Sequence, residues 1–366
     1  MGVEGKVKPG LEAEWALAQL GSFKARFDPV LKRFLDDKSQ EASEIRPELA
    51  KLIEVCAKFV VEGGKRLRPA FMYYGFKLVA DEGDTDDVLK AAIPFELVHA
   101  GALVHDDIMD NSDLRRGKPT VHRVFEKDFG SADVGRALAI VAGDMILALA
   151  DNAVTAYSDF GGRYKQARPY FDLMCREINY GQHLDVVGNL MGVVDEDWIM
   201  KVMRYKTAGY TVEKPLMVGA TLGGATTETV ASISKYGIKL GIAFQIKDDI
   251  LGMFGDEAKV GKPVDSDLKE GKKTLLVSTT LRRLMDAGRQ SEVSKLKSIL
   301  GNPKLTGEDY VWCQELMRDT GVVDYCQLKV EELTYQARQA LEDTRFDNEA
   351  TRYLLGISDF LVAREY

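Results

Sequence analysis

The sequence predicts an all-α protein, and three observations carry that expectation. Apolar residues recur at spacings of three and four nearly everywhere, alternating strand-like runs are scarce, and glycine- and proline-rich punctuation separates the periodic segments. The composition is that of an ordinary folded chain, 45% hydrophobic and 29% charged over 366 residues, with no low-complexity tract. Such a length permits two average domains or one large helical one.

Helices are expected, in order, over residues 11–36 and 44–62, the second closed by Gly63-Gly64; over 69–81, opened by Pro69 and closed by Asp81-Glu82-Gly83; and over 85–110. The pattern resumes over 132–157 and 163–190 on either side of Gly161-Gly162, then over 194–207, 209–224 and 227–255. After 274–286 it returns beyond Gly301-Asn302-Pro303 at 306–319, 322–343 and 347–363. Pro29, Pro94, Pro169 and Pro215 fall inside or near the start of these segments, where kinks or breaks are expected. Two charged stretches, residues 111–130 and 255–273, read as long non-helical loops, and each directly follows an acidic pair.

A formal net charge of −8 and a pI near 5.3 argue against nucleic-acid and anionic-membrane binding, both of which need a broad basic surface. Cys56, Cys175, Cys313 and Cys326 are scattered, so neither a zinc site nor a disulfide framework is suggested, and a reducing cytoplasm fits. The first six residues lack the apolar core of a signal peptide. The most hydrophobic window, residues 137–150, is interrupted by Gly143-Asp144 and too short to span a bilayer, so a buried helix is expected there and no transmembrane segment.

Three constellations carry chemistry. In Asp106-Asp107-Ile108-Met109-Asp110, Asp106 and Asp110 lie one helical turn apart on one face, while Asp107 points about 100° away. Carboxylates at the end of the largely apolar run 95–104 need a partner, and hard oxygen ligands without Cys or a spaced His pair favour Mg²⁺ over zinc. Leu114-Arg115-Arg116-Gly117 follows at once and suggests an anionic ligand nearby. The second constellation, Gly63-Gly64-Lys65-Arg66-Leu67-Arg68-Pro69, joins glycines that admit a close ligand to a fork-shaped Arg68 and a mobile Lys65. The bland alternative, a solvated basic helix start, is equally open for this stretch alone. The third is Phe244-Gln245-Ile246-Lys247-Asp248-Asp249, followed by Gly261-Lys262-Pro263 and Gly271-Lys272-Lys273-Thr274. Two carboxylate clusters plus separated cations suit a diphosphate substrate bridged to the protein by metal ions.

These motifs, together with Lys206-Thr207-Ala208 and in this order, resemble the trans-prenyl diphosphate synthases, most closely the archaeal geranylgeranyl type. The resemblance implies an isoprenoid-synthase fold over residues 1–366 as a single domain, helices around a deep cavity, and a homodimer. It implies an enzyme that joins isopentenyl diphosphate to an allylic diphosphate. Carried over by motif, Asp106 and Asp110 would hold two Mg²⁺ on the allylic diphosphate and Asp248 a third, with Arg115, Lys206, Gln245, Lys262 and Lys272 on the same diphosphate. Lys65, Arg68, His99 and Arg116 would hold isopentenyl diphosphate, Thr207 and Gln245 would stabilise the allylic cation, and Gln182 and Asp185 would support the metal cluster. Gly252 stands where many members carry a third Asp, with Asp256 one turn further on.

In this family a bulky residue before the first acidic motif stops the growing chain. Here Gly101 and Ala102 occupy those places, and steps of three reach Val98, which would narrow the tunnel, and Phe95, which would end it. Geranylgeranyl diphosphate is the expected product, then geranylfarnesyl or longer; the alternative is that Gly101 is a helix-packing glycine and another helix supplies the stop. A non-catalytic partner subunit is the rival reading, disfavoured because both acidic motifs and the isopentenyl-binding cations are kept. A cyclase or head-to-head enzyme would not need Lys65, Arg68 and His99.

Overall fold

The computed structural model describes residues 10–80, 86–255 and 265–363. In chain order it comprises α1 (Leu11–Ile45), α2 (Pro47–Val61), α3 (Leu67–Val79), α4 (Asp86–Met109), α5 (Val121–Phe129), α6 (Ala132–Ala153), a 3₁₀ segment (Val154–Arg163) and α7 (Tyr164–Leu190). There follow α8 (Glu196–Val202), a π-helix (Met203–Glu213), α9 (Lys214–Gly223), α10 (Thr227–Phe254), α11 (Ser266–Lys269), α12 (Leu275–Asp286), α13 (Gln290–Ile299), α14 (Gly307–Asp319), α15 (Val322–Glu342) and α16 (Glu349–Ala363). Among the described residues the only strands are Leu114–Arg115 and Lys118–Pro119, paired antiparallel. The all-α expectation holds.

Contacts divide the chain into two compact units. One contains residues 18–172 and 215–226, and is built around α4, whose residues Ala91–Val98 are buried on every side. A helix apolar all round is a core helix. The other contains, of the described residues, 10–17, 173–214 and those from 227 on. There Ala243, Ile246 and Ile250 of α10 pack in one core with Leu281, Leu296, Leu316 and Cys326 from α12 to α15.

Pro29, Pro94 and Pro169 lie inside unbroken α1, α4 and α7, and Pro215 is the second residue of α9. Packing of long helices outweighs one missing hydrogen bond. The expected loop 111–130 is half helix: α5 buries Val121, His122 and Phe125 within nine residues, too short a run for its period to stand out. Helix α13, not expected, buries Val293, Leu296 and Ile299 at steps of three. Helix α6 is not wholly buried as expected, for Ile140 and Val141 are each 48% exposed. Two helical stretches, Asp86–Met109 and Ala132–Leu190, are long and apolar enough to cross a membrane, and 72% and 44% of an apolar 18-residue window in each are buried within the protein.

Candidate functional site

Helix α4 delivers the first acidic motif. Asp110 N donates to Asp106 O at 2.8 Å, so helical geometry persists to Asp110 and the two half-buried carboxylate residues stack one turn apart. Asp107 turns inward, 1% exposed, accepts from Arg115 Nε at 2.7 Å and lies 2.6 Å from Nη2. Burial pushes the Asp107 carboxyl up, and the hydrogen bond and charge of Arg115 offset only part of this. Burial also opposes the Arg115 charge, but Asp107, Asp106 and Asp110 together hold its pKa above the ordinary value. The turn at Arg116-Gly117, both at positive φ, folds the short strand pair back so that Arg115 Nη2 lies 3.8 Å from Asp106 Oδ2.

The basic loop before α3 is organised by Arg66, which the sequence reading passed over. Its side chain is fully buried and pairs with Asp28 at 2.8 Å and Glu96 at 2.5 Å. It also donates to the Val60 and Val61 carbonyls at 2.9 Å, capping the orphan acceptors at the end of α2. A lone Glu96 within an apolar helix was the available signal, because a buried carboxylate requires a partner. Gly63 and Gly64, at φ 84° and 85°, let the loop pass beneath Arg116; a Cβ on Gly63 would stand 3.1 Å from Arg116 Nη1. Arg116 itself donates to the Glu62 carbonyl at 3.0 Å. His99 on α4 lies within electrostatic reach of Arg68, Arg116, Arg115 and Arg66, and burial together with these charges holds its pKa well below the ordinary value. Arg68 and Arg116 thus lie near His99, with Lys65 exposed on the same loop as Arg68.

Of the chain-length candidates, Val98 and Phe95 are buried and Ala102 is half-buried. Phe95 meets Phe171 edge-on at 5.9 Å, and Phe171 meets Tyr157 at 6.5 Å, an aromatic group deep in this unit. Gly101 faces α6: a Cβ there would stand 2.9 Å from Leu147 Cγ and Cδ2 and 3.2 Å from the Gly143 carbonyl. This is the packing alternative raised for Gly101, and it brings in Leu147, which no motif marked.

In the other unit, Lys206 Nζ lies 2.5 Å from Asp185 Oδ2. Thr207 Oγ1 donates to Gln245 Oε1 at 2.7 Å, and Gln245 Nε2 donates to Asp249 Oδ1 at 2.7 Å, linking the π-helix to α10. Asp248 is half-buried on α10. The place one turn beyond it, Gly252, is filled from outside its helix: Asp267 Oδ2 stands 3.1 Å from where a Cβ would be. Lys272 pairs with Glu270 at 2.5 Å and lies 3.9 Å from Asp267. Asp267 therefore joins this group, although sequence alone could not place it. Gly261, Lys262 and Asp256 lie outside the described residues.

Among the described residues no three His, Cys, Asp or Glu side chains gather to hold a metal ion by themselves. The donor set at Asp106 and Asp110, two carboxylates and nothing softer, fits a Mg²⁺ that completes its shell with ligand oxygens and water.

The profile of the family described as polyprenyl synthetase matches residues 50–317. The chain is 36% identical over 277 residues to a geranylgeranyl diphosphate synthase of Saccharolobus solfataricus, covering 75% of this chain and 78% of the relative. It is 32% identical over 306 residues to a geranylfarnesyl diphosphate synthase of Aeropyrum pernix, covering 82% and 91%. Among solved structures, a geranylgeranyl pyrophosphate synthase of Corynebacterium glutamicum, complexed with isoprenyl diphosphate and magnesium, superposes with a TM-score of 0.88 at 31% identity, covering 94% of this chain and 99% of that one.

Proposed function

Because the chain belongs to the polyprenyl synthetase family, it is a trans-prenyltransferase that condenses isopentenyl diphosphate with an allylic diphosphate, and we propose that its main product is geranylgeranyl diphosphate. The observation that carries the site assignment is the pairing of two carboxylates, Asp106 and Asp110, with the cation group Arg68, Arg115 and Arg116 around a neutral His99. Asp106 and Asp110 would hold two Mg²⁺ for the allylic diphosphate and Asp248 a third. When bound, Mg²⁺ draws negative charge onto the departing diphosphate. Arg115, Lys206, Gln245, Lys262 and Lys272 add fixed positive charge or hydrogen bonds to that diphosphate, and Gln182 and Asp185 support the metal-binding carboxylates. Lys65, Arg68, His99 and Arg116 hold isopentenyl diphosphate, while Thr207 and Gln245 turn their dipoles toward the allylic cation. No protein nucleophile is required.

Gly101 faces Leu147 of α6, so the small residue left beside the acidic motif is half-buried Ala102, and the narrowing at Val98 before the Phe95–Phe171 pair supplies a stop. Geranylfarnesyl diphosphate is the second reading, supported by the relative that makes it. The whole chain works as one catalytic domain in a homodimer; exposed Val134, Ile140 and Val141 on α6 offer the apolar seam that a second copy would cover. Four free cysteines, three of them buried, fit the cytoplasm. Neither nucleic acid nor a membrane-spanning segment enters this reading.

Incubation with Mg²⁺, isopentenyl diphosphate and, separately, dimethylallyl, geranyl and farnesyl diphosphates tests it. A twenty-carbon product from every primer is expected. Products that stop at fifteen carbons would refute the product assignment.

A further inference from the structure

Arg204 is the second residue of the π-helix Met203–Glu213 and Glu213 its last, and their side chains meet: Arg204 Nη1 lies 2.7 Å from Glu213 Oε2, and Nη2 donates to Oε1 at 3.1 Å. Nine positions separate them. In an α-helix each residue turns about 100°, so side chains nine apart leave opposite faces. A π-helix, whose i→i+5 bonds give roughly 4.4 residues per turn, brings them back to one face. The ion pair, closed by one hydrogen bond, is therefore compatible with the π register and incompatible with the α register.

The surroundings reinforce the pair. Glu213 is 2% exposed and receives two further donors, Lys214 Nζ on Oε2 at 2.7 Å and Ser234 Oγ on Oε1 at 2.6 Å. Lys214, equally buried, reaches Glu177 on α7 at 2.9 Å, so two carboxylates and two cations cancel within the protein. Gly209 lies where the pair crosses the helix: a Cβ there would stand 3.1 Å from Arg204 Nη1 and 3.2 Å from Glu177 Oε2. The backbone between is seated tightly, since a Cβ on Gly181 of α7 would fall 2.1 Å from Lys206 N and one on Gly241 of α10 2.4 Å from Ala208 Cα.

We propose that Arg204 and Glu213 are positioning residues that lock residues 203–213 in the π register and thereby aim Lys206 and Thr207 at the allylic diphosphate. This inference rests on the roles given above to Lys206 and Thr207. Neither locking residue touches substrate. Without the pair, the segment relaxes toward α geometry, and Lys206 rotates away from its approach while the isopentenyl-binding group in residues 65–116 is unaffected.

The test is steady-state kinetics on three variants, with folding checked by circular dichroism. The double variant R204Q/E213Q keeps the buried cluster neutral and leaves the Lys214–Glu177 pair in place, so it is designed to fold. Arg204→Lys keeps the charge but loses the fork, and Lys206→Ala is the reference. The expected result is a loss of at least tenfold in kcat/KM for the allylic diphosphate in the double variant, with KM for isopentenyl diphosphate within twofold of wild type and partial recovery in Arg204→Lys. Wild-type kinetics in the double variant would overturn the lock. So would an equal loss toward both substrates that tracks lost helicity, because that is a purely structural effect. Wild-type kinetics in Lys206→Ala would instead overturn the assignment of Lys206 and leave the lock without a function.

Discussion

Gly101 and Leu147 form a contact whose energetics follow from its geometry. Replacing Gly101 by Ala sets a methyl carbon 2.9 Å from both Leu147 Cγ and Cδ2, against the roughly 3.5–4.0 Å of a comfortable carbon contact. Overpacking of this kind costs about 1–3 kcal/mol, and half-buried Leu147 can swing partly aside, which places Gly101→Ala near the lower end, about 1–2 kcal/mol. Leu147→Ala should cost a similar amount through lost apolar burial, about 1–2 kcal/mol. In the double variant the methyl on residue 101 enters the space that Leu147 vacates. Its destabilisation should therefore fall short of the sum of the singles by about 1 kcal/mol, the coupling typical of touching side chains. Urea denaturation of the four proteins measures this cycle directly. The same four proteins, given dimethylallyl diphosphate, should all make the twenty-carbon product, because the added methyl points at α6. Additive destabilisation, or a shortened product in Gly101→Ala that persists when Leu147 is also Ala, would refute the contact as the role of Gly101.

Other outcomes follow from the buried charges. Arg66→Met should destabilise the protein by about 3–5 kcal/mol in denaturant unfolding, since it strands Glu96 without its guanidinium; a loss below about 1 kcal/mol would show that the pair contributes little. His99 is held neutral by burial and four arginines, and a diphosphate beside it favours the imidazolium, raising its pKa on binding. Affinity gained that way is present at low pH and lost as pH rises through the bound-state pKa, so isopentenyl diphosphate should bind more tightly below neutrality with net proton uptake. Calorimetry in two buffers of different ionisation enthalpy reads the uptake, and its persistence in His99→Gln would contradict the assignment. Asp267→Ala should lower turnover about tenfold or more with little change in stability, if its carboxylate serves the group beside Gly252; unchanged turnover would leave Asp267 a loop residue.

Much of this was legible in the sequence because helical period and acidic spacing are local properties. Asp106 and Asp110 stack as their spacing requires, and Asp107 turns inward to Arg115, eight residues on. What sequence could not supply was partnership at long range. Arg66 looked like one more cation in a basic run, yet it binds Asp28 and Glu96 from two other helices. Asp267 reaches Gly252 across fifteen positions, a separation that no period marks. The π-helix read as two helices meeting near residue 208, because an apolar pattern at about 4.4 residues per turn matches neither standard template. Gly101 could be read as open space beside substrate or as a packing glycine, and only the neighbouring Leu147, distant in sequence, shows what its missing side chain accommodates.

The central claim is that carboxylates from both acidic motifs act on the allylic diphosphate during prenyl transfer. Turnover of farnesyl and isopentenyl diphosphates at saturating Mg²⁺ should fall about 10³-fold or more in Asp106→Ala and, separately, in Asp248→Ala. Circular dichroism should remain that of the wild type. Wild-type turnover in either folded variant would contradict the account.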